Sequence, residues 1–218
     1  MTDYAAARLN MVESQLRTNK VTSEAVLEAF LAVPRERFVP AALRGTAYID
    51  EDLPLGNDRF LMEPMVFARL VQLAAVGPQD TVLEIGCATG YGTAVLARLA
   101  RSVVALDSDA QFVAQATAHL RELAIGNASL VEAPLTAGHP NRAPYSVILF
   151  EGAIAEIPEV VSRQLGEGGR LLAVVRPGPS LGRAMLVVRS SGALAHRRVF
   201  DAAAPYLPGF RPAPSFVF

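Results

Sequence analysis

Cysteine occurs only once in the 218 residues, at position 87. A lone cysteine excludes an intrachain disulfide and a multi-cysteine metal cluster, and it fits a reducing, cytoplasmic setting with no metal site. Charge of one sign is also lacking, since 20 Lys and Arg stand against 21 Asp and Glu. No broad positive field is available to hold a phosphate backbone or an anionic membrane surface, so neither nucleic acid nor membrane is an expected partner. Long apolar runs are missing as well: no uninterrupted stretch of roughly 18 residues suits a membrane span. The opening MTDYAAARLNMVESQLR has early acids and no apolar signal-peptide core. The chain is expected to be soluble.

What is present is an apolar half, 51% of the residues, enough for one sizeable core and too little chain for two independent enzyme domains. Leu9, Val12 and Leu16, then Val26, Leu27, Phe30 and Leu31, recur at three-and-four spacing and predict amphipathic helices, with Thr22-Ser23-Glu24 as a break and fresh N-cap. Pro34 and Pro40 bracket a short segment, and Ala42 to Pro64 is rich in Pro, Gly and Asp without a period, which predicts a long irregular arm of functional kind. A helix carrying Val66, Leu70 and Leu73 then leads into alternation of strands and helices. The predicted strands are 81–85, 102–106, 129–131, 146–150 and 171–175, and the predicted helices 93–99, 112–123 and 157–165. Such alternation calls for βαβ units and a parallel sheet. Residues 184–188 and 194–200, joined at Ser190-Ser191-Gly192, read as an antiparallel edge hairpin, and the tail after Pro205 as an irregular surface segment.

The sharpest feature is Leu83-Glu84-Ile85-Gly86-Cys87-Ala88-Thr89-Gly90-Tyr91, a glycine turn between a buried strand and a helix. Such a turn lets backbone approach a ligand, and the helix start presents free N–H groups. The next strand ends in Asp107, followed by Ser108, about 20 residues on, where a carboxylate reaches ribose hydroxyls. The dinucleotide fingerprint is broken, because Ala88 replaces the middle glycine and Tyr91-Gly92 follows Gly90. Glu84 would repel a pyrophosphate and suits a cation, which favours S-adenosylmethionine. Solvated carboxylates at strand ends are the plainer explanation of Glu84 and Asp107, against which their joint placement argues. Cys87 reads as a small turn residue, with no histidine or second cysteine near it in sequence. Ligands lie outside the carboxyl ends of such strands, so Glu132 and Ala133 after the third strand and Phe150-Glu151-Gly152 after the fourth also face the crevice. Glu132 suits a place by the adenine or an exposed loop equally. The expected cofactor-binding set is Glu84, Gly86, Cys87, Ala88, Gly90, Tyr91, Asp107, Ser108, Glu132, Ala133 and Glu151.

Several further stretches carry a family likeness. They are Met11-Val12-Glu13 with Gln15, Val33-Pro34-Arg35 with Phe38-Val39-Pro40, Ala47-Tyr48, Leu53-Pro54-Leu55-Gly56, Pro64, the turn Leu83 to Tyr91 with Thr93-Ala94-Val95-Leu96-Ala97, and Gln164-Leu165 with Gly168-Gly169-Arg170-Leu171. In these the chain resembles the protein-L-isoaspartate O-methyltransferases over nearly its whole length. The resemblance implies a doubly wound, mostly parallel α/β sheet of S-adenosylmethionine-dependent methyltransferase type. Residues 1–64 would form an N-terminal helical arm and substrate loop, and 65–218 the cofactor-binding core with a C-terminal antiparallel hairpin, in a monomer or weak dimer. It also implies methylation of the α-carboxylate of isoaspartyl residues in damaged protein, an ionised nucleophile that needs alignment and dehydration more than acid–base help.

The substrate-holding segment departs from the family pattern of glycine, two variable residues, glutamine, threonine, isoleucine, serine, glutamine and proline. Here it reads Gly56-Asn57-Asp58-Arg59-Phe60-Leu61-Met62-Glu63-Pro64. Arg59, Phe60, Leu61 and Met62 are therefore the expected acceptor-side positions, and Phe60 and Met62 replace hydroxyls that would donate to the acceptor carboxylate. Glu63 adds negative charge there, and Arg59 offsets it. The family's glycine-aspartate-glycine becomes Glu132-Ala133-Pro134, and its alanine-rich run becomes Phe150-Glu151-Gly152-Ala153. Two other readings stay open: a methyltransferase of this ancestry on a different acceptor, and a non-catalytic S-adenosylmethionine-binding module.

Overall fold

A computed structural model describes residues 3–212. Helix α1 (Tyr4–Met11) starts where the Asp3 carboxylate accepts from the N–H groups of Ala5 and Ala6. It runs on through a π-helical turn (Val12–Leu16) and a 3-10 turn to Lys20, whose positive φ ends it. Ser23 caps α2 (Glu24–Ala32), as the break at Thr22-Ser23-Glu24 predicts. The arm that follows is not wholly irregular. Leu53–Gly56 (β1) and Arg59–Leu61 (β2) pair antiparallel across Asn57-Asp58, both with positive φ. Asn and Asp tolerate that conformation, and a two-residue turn of this hand matches strand twist. Strands of three and four residues are too short for periodicity to reveal. Pro64 then opens α3 (Pro64–Ala74).

The remaining elements are β3 (Thr81–Ile85), α4 (Tyr91–Ala97), β4 (Ser102–Asp107), α5 (Ala110–Glu122), β5 (Ala128–Glu132), β6 (Tyr145–Ile154), α6 (Glu159–Ser162), β7 (Leu165–Val175), β8 (Gly182–Ser190) and β9 (Ala193–Ala202). They form a seven-stranded sheet in the order β5-β4-β3-β6-β7-β8-β9, parallel up to β7 and antiparallel beyond it. The fold is the doubly wound α/β type expected, with the C-terminal hairpin at its edge. Val82 joins the core on the side of α3 and the N-terminal helices, while Leu83 and Ile85 join the opposite one. Both faces of β3 are thus covered, which is why its sequence is apolar without alternation.

The order reverses at β3, so the crevice between the carboxyl ends of β3, β4 and β6 is the switch point where such sheets bind ligands. The β6–β7 register slips between Leu149 and Ala153, leaving a bulge that contains Glu151 at the rim of this crevice.

Two expectations fail. The helix predicted over 157–165 shrinks to α6, because Pro158 blocks an earlier start and Leu165 already pairs with Tyr145 in the sheet. The tail after Pro205 does not lie loosely on the surface up to residue 212. Leu207 and Phe210 are buried, Leu207 N–H donates to the Ala153 carbonyl at 2.9 Å, and the Phe210 ring meets Phe150 edge-on at 5.6 Å. Residues 213–218 lie outside the described part. Among the described residues no helix is long and apolar enough to cross a membrane, and no group of three potential metal ligands converges.

Candidate functional site

The turn after β3 is tied to the end of β4: the N–H groups of Gly86 and Cys87 both donate to the Leu106 carbonyl, at 2.8 and 3.1 Å. Gly86 takes φ +90° and Ala88 +44°. The left-handed region costs an L-residue about 1–2 kcal/mol, so Ala88→Gly should raise unfolding free energy by up to about 1 kcal/mol once the looser unfolded chain is subtracted. Urea denaturation of the pair of proteins checks this.

Asp107 is fully buried at the tip of β4. Its Oδ2 accepts from the Ala88 N–H at 2.8 Å, and its Oδ1 from the Asp109 N–H at 3.2 Å. The remaining partner is Arg59. Its Nη1 donates to both oxygens of Asp107, at 3.0 and 2.8 Å, and its Nη2 to the Gly86 carbonyl at 2.7 Å. The guanidinium also lies 5.9 Å from the Phe112 ring centroid. Period-two alternation in β2 puts Arg59 and Leu61 on the face turned to the body, and Arg59 is only 3% exposed. The sequence predicts a cation at Glu84 and hydroxyls at Asp107, whereas the cation that the chain itself supplies, Arg59 from the acceptor-side segment, sits on Asp107.

Leu207 covers the same turn. A Cβ added at Gly86 would fall 2.6 Å from Leu207 Cδ2 and 3.2 Å from Arg59 Nη2, and one at Gly152 would fall 2.7 Å from Leu207 Cγ. The sequence gives little warning of this beyond two apolar residues in an otherwise proline-rich tail.

Glu84 is fully buried, and Thr93 Oγ1 donates to its Oε2 at 2.5 Å. The Glu151 carboxyl lies beside it against Gly92, where no Cβ would fit. Burial holds both above the ordinary carboxylate range: Glu84 is pushed up to about 7, although the hydrogen bond from Thr93 opposes the rise, and Glu151 is raised well above its usual value, the neighbouring Glu84 adding to the effect of burial.

The other expected residues scatter. Tyr91 faces the core, ringed by Phe30, Phe38 and Phe67, with the Arg35 guanidinium 4.9 Å above it. Gly90 serves helix packing, since a Cβ there would fall 2.9 Å from Ala116 Cβ. Cys87 is buried, and burial pushes its thiol up. Ser108 and Glu132 are exposed, and Ala133 is half-buried with its N–H on the Asp107 carbonyl. Leu61 and Met62 are 4% exposed core residues, leaving Phe60 half-exposed on the hairpin. Met62 has a role that side-chain chemistry does not reveal: its carbonyl accepts from buried Arg35 at 2.8 Å, while Arg35 Nε donates to the Ala47 carbonyl at 2.7 Å. Arg35 thereby fastens the arm to the end of the hairpin.

The profile of the family described as Protein-L-isoaspartate(D-aspartate) O-methyltransferase matches residues 7–205. A protein-L-isoaspartate O-methyltransferase of Koribacter versatilis is 35% identical over 201 residues, 92% of this chain and 90% of that protein. One of Methylorubrum extorquens is 40% identical over 190 residues, 87% of this chain and 82% of that protein. A solved structure named protein-L-isoaspartate O-methyltransferase superposes with a TM-score of 0.81 at 25% identity, covering 94% of this chain and 67% of the other. A Plasmodium falciparum structure, described as a complex with S-adenosyl-L-homocysteine, shares the fold with a TM-score of 0.78 at 15% identity, covering 94% and 97%.

Proposed function

The chain belongs to the protein-L-isoaspartate(D-aspartate) O-methyltransferase family, and from that membership we propose that it transfers a methyl group from S-adenosylmethionine to the free carboxylate of isoaspartyl residues in damaged protein. The observation that carries this is the glycine turn at the switch point, set between the buried carboxylates Asp107 and Glu84. These residues fit the cofactor in kind. Gly86 leaves its cradle free of a Cβ, Asp107 suits ribose hydroxyls, and the crowded Glu84–Glu151 pair suits a cationic ammonium or sulfonium end. When bound, the cofactor supplies an electrophilic methyl carbon on sulfur.

The chain's own residues would bind, orient and dehydrate. An acceptor carboxylate is ionised at neutral pH, so no general base is needed and alignment carries the rate. We assign the acceptor side to the hairpin and its half-exposed Phe60. Glu63, where the family has glutamine, is pushed up to about 7 by burial and by Asp52 and Asp50. Below that pH it is neutral and can donate a hydrogen bond as glutamine does. Incubation with an isoaspartyl peptide and labelled cofactor should yield a base-labile methyl ester, and the initial rate of S-adenosylhomocysteine release should fall as pH rises past about 7 in the unaltered protein and stay level in Glu63→Gln. Cofactor binding without any ester would favour the second reading, a different acceptor, to which the loss of hydroxyls at Phe60 and Met62 points. We further place the protein in the cytoplasm, on its single buried cysteine.

A further inference from the structure

We propose that Arg59 and Leu207 form an intramolecular plug in the cofactor crevice, a closed state that S-adenosylmethionine or its demethylated product opens by displacing both side chains. This rests on the cofactor reading above. Arginine is rarely buried unless paired, and here every contact of the guanidinium head is with the cofactor cradle or its wall: Asp107, the Gly86 carbonyl and Phe112. Leu207 fills the space over Gly86 and Gly152, neither of which could carry a side chain beneath it. The two plugging residues belong to appendages outside the seven-stranded sheet, the β1–β2 hairpin and the segment after β9.

The tail is held to β6 by the Leu207 N–H on the Ala153 carbonyl and by Phe210 against Phe150, whereas the appendages are joined to each other and to the rim by exposed pairs: Asp58 to Arg211 at 3.1 Å, and Asn57 to Asp109 at 2.8 Å. Such exposed pairs release easily. Opening leaves Asp107 and the Gly86 carbonyl satisfied, because ribose hydroxyls and an ammonium group can replace the guanidinium on them. Two states with equally satisfied groups are close in free energy, which is what a ligand-driven switch requires. If the closed state outnumbers the open one by about a hundred to one, apparent affinity is lowered about a hundredfold.

Calorimetric titration of the full chain with S-adenosylhomocysteine tests the plug. Arg59→Met should bind up to about a hundredfold tighter than the unaltered protein. Leu207→Ala should also bind tighter, and it strands no charge should Arg59→Met fail to fold. In the unaltered protein, binding should speed hydrogen exchange at the Leu207 amide and in β2. Equal or weaker binding by the variants, with exchange at those amides slowed, would overturn the plug alone. Absence of binding by all three forms would overturn the cofactor reading and the plug with it.

Discussion

Asp107→Asn should lower unfolding free energy by about 3–5 kcal/mol, the range for breaking a buried ion pair from one side. The size follows from what is left behind. Arg59 is 3% exposed and its partner fully buried, so the guanidinium keeps its charge, loses its counter-charge and has no water to turn to. Most of the effect is therefore the penalty of a stranded cation. The double variant Asp107→Asn with Arg59→Met should recover a large part of the loss, since it removes the cation as well. Urea denaturation of the two single variants and the double completes the cycle. A loss below about 1 kcal/mol for Asp107→Asn would mean that Arg59 reaches solvent and that the pair is not closed as described.

The second large effect is on pH dependence. Glu84 rises from an ordinary 4.5 to about 7, and Glu151 moves in the same direction, both chiefly through burial. A carboxyl whose folded value is raised binds its proton more tightly in the folded state. Its stabilisation is full below the unfolded value and is lost as pH climbs through the folded one. For Glu84 the difference corresponds to about 3 kcal/mol lost between roughly pH 4.5 and 7, with a further decline as Glu151 gives up its proton. Glu151→Gln removes one carboxyl of the pair and should flatten the curve while raising stability at pH 8. Midpoints of denaturation at pH 5, 6, 7 and 8 decide this, and a variant curve parallel to that of the unaltered protein would show that Glu151 contributes nothing to the decline.

The central sheet was legible because its strands are buried on both faces. The run Thr81–Ile85 matches β3 to the residue, and β4 ends one residue later than predicted, at Asp107. Element ends set by tertiary contact were not legible. β6 runs four residues past Phe150 because Ala153 and Ile154 resume pairing with Val174 and Val175 of β7 beyond the bulge, and no local signal marks a strand that continues across a bulge. The carboxylates at the site were identified by type and spacing, but the partner of Asp107 was not. Arg59 sits 48 residues earlier in sequence, on a three-residue strand, and only the Asn57-Asp58 turn aims it inward. Tyr91 misled in the opposite way: it adjoins the glycine turn in sequence, yet the start of α4 rotates it into the aromatic cluster with Phe30, Phe38 and Phe67.

A crystal structure of the protein grown with S-adenosylhomocysteine tests most directly the assignment of Asp107 and the Gly86 turn to the cofactor. The ribose hydroxyls are expected on the Asp107 carboxylate, with Arg59 and Leu207 swung out of the crevice. Bound nucleoside elsewhere, with the Arg59–Asp107 pair intact, would contradict it.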